Sequence, residues 1–234
     1  MNVVQQTWLF DIDGTLLTAG GAGSLAIAEV LRDGFDIAVP NIDVVFSGRT
    51  DRGILTEIAR RNGLSTDDAT IDRFMHLYCN AFATTIQQTD GRLFDGAGPL
   101  AERARRDPRI ESRVMTGNCE RTGWHKLKHF GLADQFEVVH GGDADCERNH
   151  LARRTYASLD PALTAIPLVV IGDTPADIVC AREIDAVAVA VATGRYDLRE
   201  LRSIEPDLTL RNFDEESFGL IFETAAAIGG APVG

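Results

Sequence analysis

The sequence of 234 residues predicts an α/β protein, in which helices cover both faces of a doubly wound parallel sheet. In the C-terminal part of the chain, short apolar runs alternate with helices of about ten residues, the pattern of buried parallel strands. The N-terminal part has one apolar run, Trp8 to Phe10, followed by helical periodicity up to about residue 87. We therefore expect a core domain of residues 1–17 and 92–234, and a helical domain of the inserted residues 18–91.

Apolar spacing and hydroxyl residues predict three helices in the inserted segment. Leu25, Ala28 and Leu31 share one face of the first helix. Thr50 and Thr66 are the predicted N-caps of the second and third helices, because a hydroxyl oxygen can accept from the free N–H groups of a first turn.

In the core, glycine-rich and acidic turn residues from 90 to 99 precede a regular alternation of helices and strands. Open α/β sheets bind their ligands at the carboxyl ends of the strands, so the polar loops that follow each strand mark the expected active face. The predicted strands after the insert cover residues 113–115, 136–139, 168–171, 186–191 and 207–210.

Composition restricts the classes of partner. The net charge of −12 and the pI near 4.8 argue against nucleic acid and anionic membranes, which attract basic surfaces. No apolar run approaches the roughly 20 residues of a membrane span, and the first residues lack the features of a signal peptide, so we expect a cytoplasmic protein. The four cysteines lack the spacing of a zinc site. For the oligomeric state, a monomer and a homodimer both stay open.

Two carboxylates directly follow the first apolar run. Asp11 and Asp13 precede Gly14, which permits a sharp turn, and Thr15, which can hydrogen-bond locally. A close carboxylate pair at a strand end forms either a metal site or a nucleophile with an acid/base partner. A simple Asp-Gly turn with solvated side chains is the alternative.

The later polar loops extend this pattern in a fixed order. Thr116 follows the next predicted strand after Asp11 and Asp13, Arg148 begins a later helix, and Asp173 and Asp177 follow the apolar run 168–171. This order resembles the haloacid dehalogenase superfamily, in its phosphohydrolase branch, over most of the chain from about Trp8 to Leu210. The insert resembles the helical C1 cap of that superfamily, closest in style to the phosphoglycolate phosphatase and β-phosphoglucomutase groups. The residues that carry the resemblance are Asp11, Asp13, Thr116, Arg148, Asp173 and Asp177.

The resemblance implies a role for each residue near the phosphate. Asp11 would attack phosphorus and become an aspartyl phosphate. Asp13 would protonate the leaving oxygen and later activate water. Thr116, with the backbone N–H groups of Ile12 and Gly117, would donate hydrogen bonds to the phosphate oxygens.

A magnesium ion is implied in the same way. The carboxylates of Asp11 and Asp173 and the backbone carbonyl of Asp13 would hold Mg²⁺ and leave positions for water and substrate. Asp177 would not bind the metal itself but would orient a metal-bound water or a neighbouring cation. Asn118 would either contact Asp13 or cap the following helix.

The positive residue of the third motif departs from the family pattern, which usually has Lys. The chain has only two lysines, Lys126 and Lys128, and both lie in the helix after Thr116, too early and on the wrong loop for this motif. Arg148 suits the family spacing better than Arg153 and can bind phosphate through two nitrogens. The alternative is that Arg148 is an exposed helix charge.

The expected function is a Mg²⁺-dependent phosphatase for a small phosphorylated metabolite, such as phosphoglycolate or a sugar phosphate. Arg49, in a glycine-containing loop of the insert, is a candidate for binding an anionic substrate; a plain loop before a helix is the alternative. A phosphomutase would share every core residue, and a non-catalytic phosphate-binding module is a third hypothesis. A dehalogenase is disfavoured because that branch has no acidic residue at the place of Asp13.

Overall fold

A computed structural model describes residues 3–229 of the chain. The strands are β1 Gln6–Phe10, β2 Leu17–Thr18, β3 Arg92–Leu93, β4 Ile110–Met115, β5 Val139–His140, β6 Leu168–Gly172, β7 Val187–Val191 and β8 Leu208–Leu210. The α-helices are α1 Ala22–Phe35, α2 Asp51–Arg61, α3 Asp68–Thr85, α4 Ala97–Arg106, α5 Glu120–His129, α6 Arg148–Ser158, α7 Pro161–Thr164, α8 Pro175–Glu183, α9 Leu198–Arg202 and α10 Ser217–Gly229.

Six strands form one parallel sheet in the order β5-β4-β1-β6-β7-β8. β1 lies inside the sheet and is buried along its whole length. Its side chains alternate between two apolar layers, as the two-residue period of a strand requires. Trp8 and Phe10 pack with α4 and α10, whereas Leu9 packs with α6 and α8. The predicted doubly wound α/β fold is confirmed.

Helices α1, α2 and α3 pack around a second apolar cluster, which includes Ile58, Phe74 and Phe82 and is joined by Cys119 from the loop after β4. The chain leaves the core sheet region through β2 and returns through β3. These two short strands pair antiparallel, with Leu17 opposite Leu93. The ends of the inserted segment are therefore held side by side next to the site described below.

Local predictions differ from the structure at two places. Strand β5 is shorter than predicted, and Phe136 lies before it as a core residue, its ring centroid 5.6 Å from that of Phe10. Thr50 caps α2 by accepting from the Gly53 N–H, as predicted. Asp67, and not Thr66, caps α3.

Within residues 3–229, no helix combines the length and the apolar character needed to cross a membrane.

Candidate active site

The loops after β1, β4 and β6 meet the start of α6 at one edge of the sheet and surround a cavity of about 510 Å³. The inserted segment supplies part of the same cavity wall. Of the residues predicted from the sequence, Ile12 and Asp177 lie behind this wall. The predicted residues that line the cavity are Asp11, Asp13, Arg49, Thr116, Gly117, Asn118, Arg148 and Asp173.

Asp11 is the buried carboxyl group at the end of β1. Its backbone N–H donates to the Ile171 carbonyl at 2.9 Å, which fixes it to the end of β6. Its Oδ1 lies 3.1 Å from Nη2 of Arg148. Burial raises the pKa of Asp11 to about 7, although the Arg148 guanidinium acts in the opposite direction.

Arg148 is the first residue of α6 and is buried beside Asp11. Its Nη2 also contacts Oδ1 of Asp177. The other oxygen of Asp177 accepts from the N–H and the hydroxyl of Thr174, at 2.9 and 2.7 Å, in the capping box of α8. Arg153 lies on the surface and pairs with Glu183. Between the two arginines, only Arg148 reaches the predicted nucleophile.

Asp173, directly after β6, completes a buried acidic cluster. Its Oδ1 accepts from the Thr15 hydroxyl at 3.2 Å. Gly14 passes so close, at φ 84°, that a Cβ there would lie 2.2 Å from Oδ2 of Asp173. Carboxylate oxygens of Asp173, Asp11 and Asp177 lie within 4.8 Å of one another. Burial, followed by the charges of Asp177 and Asp11, raises the pKa of Asp173 to about 8.

Asp13 faces a different set of partners, and its side chain is 43% exposed. Its Oδ2 accepts from Nδ2 of Asn118 at 2.7 Å and from Nζ of Lys126 at 2.5 Å. Asn118 therefore makes the predicted contact to Asp13, while Cys119 holds the N-cap position of α5. Asn118 also donates to the Thr116 hydroxyl at 2.7 Å.

Lys126 is a site residue that the sequence analysis missed: it contacts Asp13, whereas Arg148 holds the place beside Asp11 that was expected for the third motif. Lys126 is in α5, where helical side chains lean toward the N-terminus of the helix. This direction carries the ammonium group back to the loop after β4. Thr122, Lys126 and Leu127 are all buried, so the signal in the sequence was a lysine on the inward face of a helix.

The loop after β4 also contacts the insert closely. A Cβ at Gly117 would lie 2.0 Å from the Arg49 carbonyl oxygen. The Gly117 carbonyl accepts from the N–H of Asp51 at 2.7 Å. Glycine is therefore required where the core loop meets the start of α2.

Arg49 lines the cavity, but its guanidinium is bonded within the insert. Nη1 donates to Oε2 of Glu57 at 2.6 Å and to the Val45 carbonyl at 3.2 Å, and Nη2 donates to the Gly53 carbonyl at 3.2 Å. A direct contact between Arg49 and a substrate stays a prediction, as do the phosphate-binding roles of the Ile12 and Gly117 N–H groups.

Comparison with known proteins agrees with this architecture. The HAD-hydrolase-like family model matches residues 150–215. A predicted phosphatase from Clostridium acetobutylicum superposes with a TM-score of 0.68 at 20% identity, over 94% of this chain and 99% of the other. A HAD hydrolase of family IA, variant 3, from Entamoeba histolytica superposes with a TM-score of 0.67 at 19% identity, over 93% and 99% of the two chains. The chain has a haloacid dehalogenase-like fold.

Two further similarities involve proteins with more specific names. A predicted phosphoglycolate phosphatase from Haemophilus somnus shares the haloacid dehalogenase-like fold, with a TM-score of 0.63 at 17% identity over 94% of this chain and 99% of the other. The tyrosine-protein kinase PtkA of Mycobacterium tuberculosis is 34% identical over 110 residues. That stretch is 45% of this chain and spans 37% of the length of the relative.

The acidic cluster fits the divalent metal ion that haloacid dehalogenase-like enzymes generally use. Three buried carboxyl groups lie beside a single guanidinium, and the raised pKa values of Asp11 and Asp173 reflect burial and this excess of negative charge. Hard cations prefer oxygen ligands of this kind. Both Asp177 oxygens already have partners, so Asp11 and Asp173 are the side chains that could hold the ion. The Asp13 carboxyl group contacts Lys126, and a role of its backbone carbonyl as a metal ligand stays a prediction.

Proposed function

We propose that this protein is a Mg²⁺-dependent phosphatase that hydrolyses a small phosphorylated metabolite through an aspartyl phosphate on Asp11. One observation carries the proposal. Asp11 and Asp13 are two residues apart but have different surroundings. Asp11 is buried against Arg148 in the acidic cluster. Asp13 lines the cavity and accepts hydrogen bonds from a lysine and an asparagine. Such a pair suits a nucleophile and a separate acid/base group.

In the first step, a carboxylate oxygen of Asp11 forms a bond to phosphorus, and the bond between phosphorus and the leaving oxygen breaks. Asp13 gives its proton to that oxygen. In the second step, Asp13 takes a proton from water, whose oxygen attacks phosphorus and releases Asp11 and inorganic phosphate.

The phosphoryl group carries negative charge on its oxygens during transfer, so hydrogen-bond donors and cations must lie close to these oxygens. Arg148 and Thr116 face the cavity beside Asp11 and would bind the phosphoryl oxygens together with the N–H groups of Ile12 and Gly117. A Mg²⁺ ion at Asp11 and Asp173 would supply further neutralising charge. Asp177 would hold the Arg148 guanidinium in place.

We further propose that residues 18–91 act as a cap over a core of residues 1–17 and 92–234. The cavity of about 510 Å³ is lined by both parts of the chain and has the size of a small-molecule site. A closed cap would exclude water while Asp11 is attacking the substrate. Phosphoglycolate and sugar phosphates are substrates of suitable size and charge.

Phosphoryl transfer to an acceptor other than water is the second candidate function. It is favoured by the match to PtkA, which is described as a tyrosine kinase, and a phosphomutase would use the same two aspartates. Hydrolysis, the kinase reaction and the mutase reaction would all begin with the attack of Asp11 on a phosphorylated donor, which phosphorylates Asp11. They differ in the final acceptor, so product analysis separates them.

The test is phosphate release from a panel of small phosphomonoesters, with Mg²⁺ or with a chelator. We expect release by the native protein only with Mg²⁺, and a loss on the order of 10⁴-fold or more in Asp11→Asn, because the nucleophile is removed. Asp33→Asn, on the exposed surface of α1, is the matched control and should keep full activity. Metal-independent release, or an active Asp11→Asn protein, would refute the proposal.

A further inference from the structure

Lys126 is a buried lysine whose ammonium group contacts the acid/base candidate and not the acidic cluster. The residue is 5% exposed. Its Nζ lies 2.5 Å from Oδ2 of Asp13 and 2.5 Å from Oδ1 of Asn118. Because Asn118 also donates to Oδ2 of Asp13 at 2.7 Å, the three side chains form a closed triangle of hydrogen bonds.

This triangle fixes only one oxygen of the Asp13 carboxyl group. Both contacts that described side chains make to the group fall on Oδ2. Oδ1 is therefore the oxygen available to a molecule in the cavity that Asp13 lines. Rotation of the carboxyl group would break two hydrogen bonds, one of them to a charged donor, so the direction of Oδ1 is well defined.

The surroundings of Lys126 explain why a charged group is stable in this position. The Phe82 ring, from α3 of the insert, lies with its centroid 5.3 Å from Nζ, within the range of a cation–π contact. Asp51, at the start of α2, is near enough for the lysine charge to lower its pKa, against the raising effect of burial. Two helices of the insert thus help to hold a core lysine against Asp13.

Resting on the proposed phosphatase function, we propose that Lys126 is a positioning residue for general acid catalysis. Together with Asn118, it holds the Asp13 carboxyl group so that Oδ1 faces the leaving oxygen of the substrate. Asp13 donates the proton, and Lys126 acts only through Asp13. Lys126 therefore matters most for substrates whose leaving group needs a proton.

The chain provides a matched pair for the test, because its only two lysines lie in the same helix. Lys126→Met removes the charge and the donors but keeps the length of the side chain. Lys128→Met, at an exposed position, is the control. Each variant is assayed with Mg²⁺ on an alkyl phosphomonoester, whose leaving group needs a proton, and on p-nitrophenyl phosphate, whose leaving group does not.

We expect Lys126→Met to lower kcat/KM for the alkyl ester by about 100-fold or more, in the range of general acid catalysis. The loss on p-nitrophenyl phosphate should be under about tenfold, since kcat/KM reports the steps up to cleavage of the ester. Asp13→Asn should show the same selectivity. Adding Lys126→Met to Asp13→Asn should cause little further loss, because both changes remove one function.

A second readout does not depend on turnover. In protein with isotope-labelled lysine side chains, Asp13→Asn should shift the ammonium signal of Lys126 in the NMR spectrum and leave that of Lys128 unchanged. If Lys126→Met does not fold, Lys126→Gln removes the charge but keeps one donor and serves for the same comparison of substrates.

Equal losses on both substrates, an increase in KM alone, or full additivity with Asp13→Asn would overturn the assignment and point to direct substrate binding or a structural role. An unmoved Lys126 signal in Asp13→Asn would also overturn it. These outcomes differ from failure of the proposed function, in which the native protein itself would release no phosphate from either ester.

Discussion

Asp11 and Asp13 are the same residue type, two positions apart, in opposite surroundings. Asp11 is 4% exposed and lies among Asp173, Asp177 and Arg148, where burial raises its pKa to about 7. The Asp13 side chain is 43% exposed and accepts hydrogen bonds from Asn118 and Lys126. Neighbouring groups, and not residue type, therefore divide the chemistry between the two carboxyl groups.

The backbone creates this division over a very short distance. Asp11 still belongs to the sheet edge, because its N–H bonds to the end of β6. Gly14, at φ 84°, turns the chain immediately after Asp13. The Asp11 carboxyl group contacts Arg148 of α6, whereas the Asp13 carboxyl group contacts Lys126 of α5. A metal side and an acid/base side can then lie in one small cavity.

The largest expected effect on stability comes from Arg148, whose guanidinium lies against both Asp11 and Asp177. Arg148→Met leaves the buried carboxyl groups of Asp11 and Asp177 without their cation. We expect the free energy of unfolding to fall by about 3 to 5 kcal/mol, as for other buried pairs that lose one partner. Urea denaturation with a chelator present measures this change.

Arg153→Met, five residues along the same helix, is the control. Its pair with Glu183 is on the surface and should contribute only about 0 to 1 kcal/mol. Equal effects of the two substitutions would mean that the Asp11 side of the site is not electrostatically distinct from the surface.

A change in pH should have a smaller effect on the free energy of unfolding. In the metal-free protein, the pKa values of Asp11 and Asp173 are raised from 3.8 to about 7 and about 8 by burial and by neighbouring carboxyl groups. The folded state therefore keeps protons that the unfolded chain loses, and the free energy of unfolding should fall as pH rises from about 4 to about 8. Urea denaturation across this range checks the slope.

Two conditions sharpen this pH prediction. Asp173→Asn removes one of the two titrating groups and should flatten the slope. Mg²⁺ should also flatten it, because the ion displaces the protons from these carboxyl groups and so stabilises the folded state more as pH rises, by about 3 kcal/mol when its concentration is about 100 times Kd. A slope that neither condition changes would show that Asp11 and Asp173 do not form a cation site.

The sequence contained enough information for the sheet and for most of the residues around Asp11. Continuous apolar runs such as Val169–Ile171 are buried strands in the structure, because a parallel sheet covered on both faces needs no alternation. The order of polar residues after these strands placed Arg148 and Asp173 on one face. Periodicity predicted the strands, whereas the choice of Arg148 and Asp173 as site residues depended on the resemblance to the haloacid dehalogenase superfamily.

What the sequence could not show was the choice between competing partners. The inward face of α5 marks Lys126 as a buried lysine, but its choice of Asp13 as partner depends on tertiary packing that no local pattern records. Arg49 pairs with Glu57, two turns away, where the sequence showed only a basic loop. At the start of α3, both Thr66 and Asp67 could serve as caps, and backbone geometry selects Asp67.

The division of labour between Asp11 and Asp13 is tested most directly by trapping the intermediate. Asp13→Asn should still let Asp11 attack p-nitrophenyl phosphate, whose leaving group needs no acid, but should slow the hydrolysis that follows, because the base is missing. Rapid acid quenching and peptide mass spectrometry should then find one phosphoryl group on Asp11. A phosphoryl group on another residue, or none on Asp11 while the native protein turns over, would contradict this account.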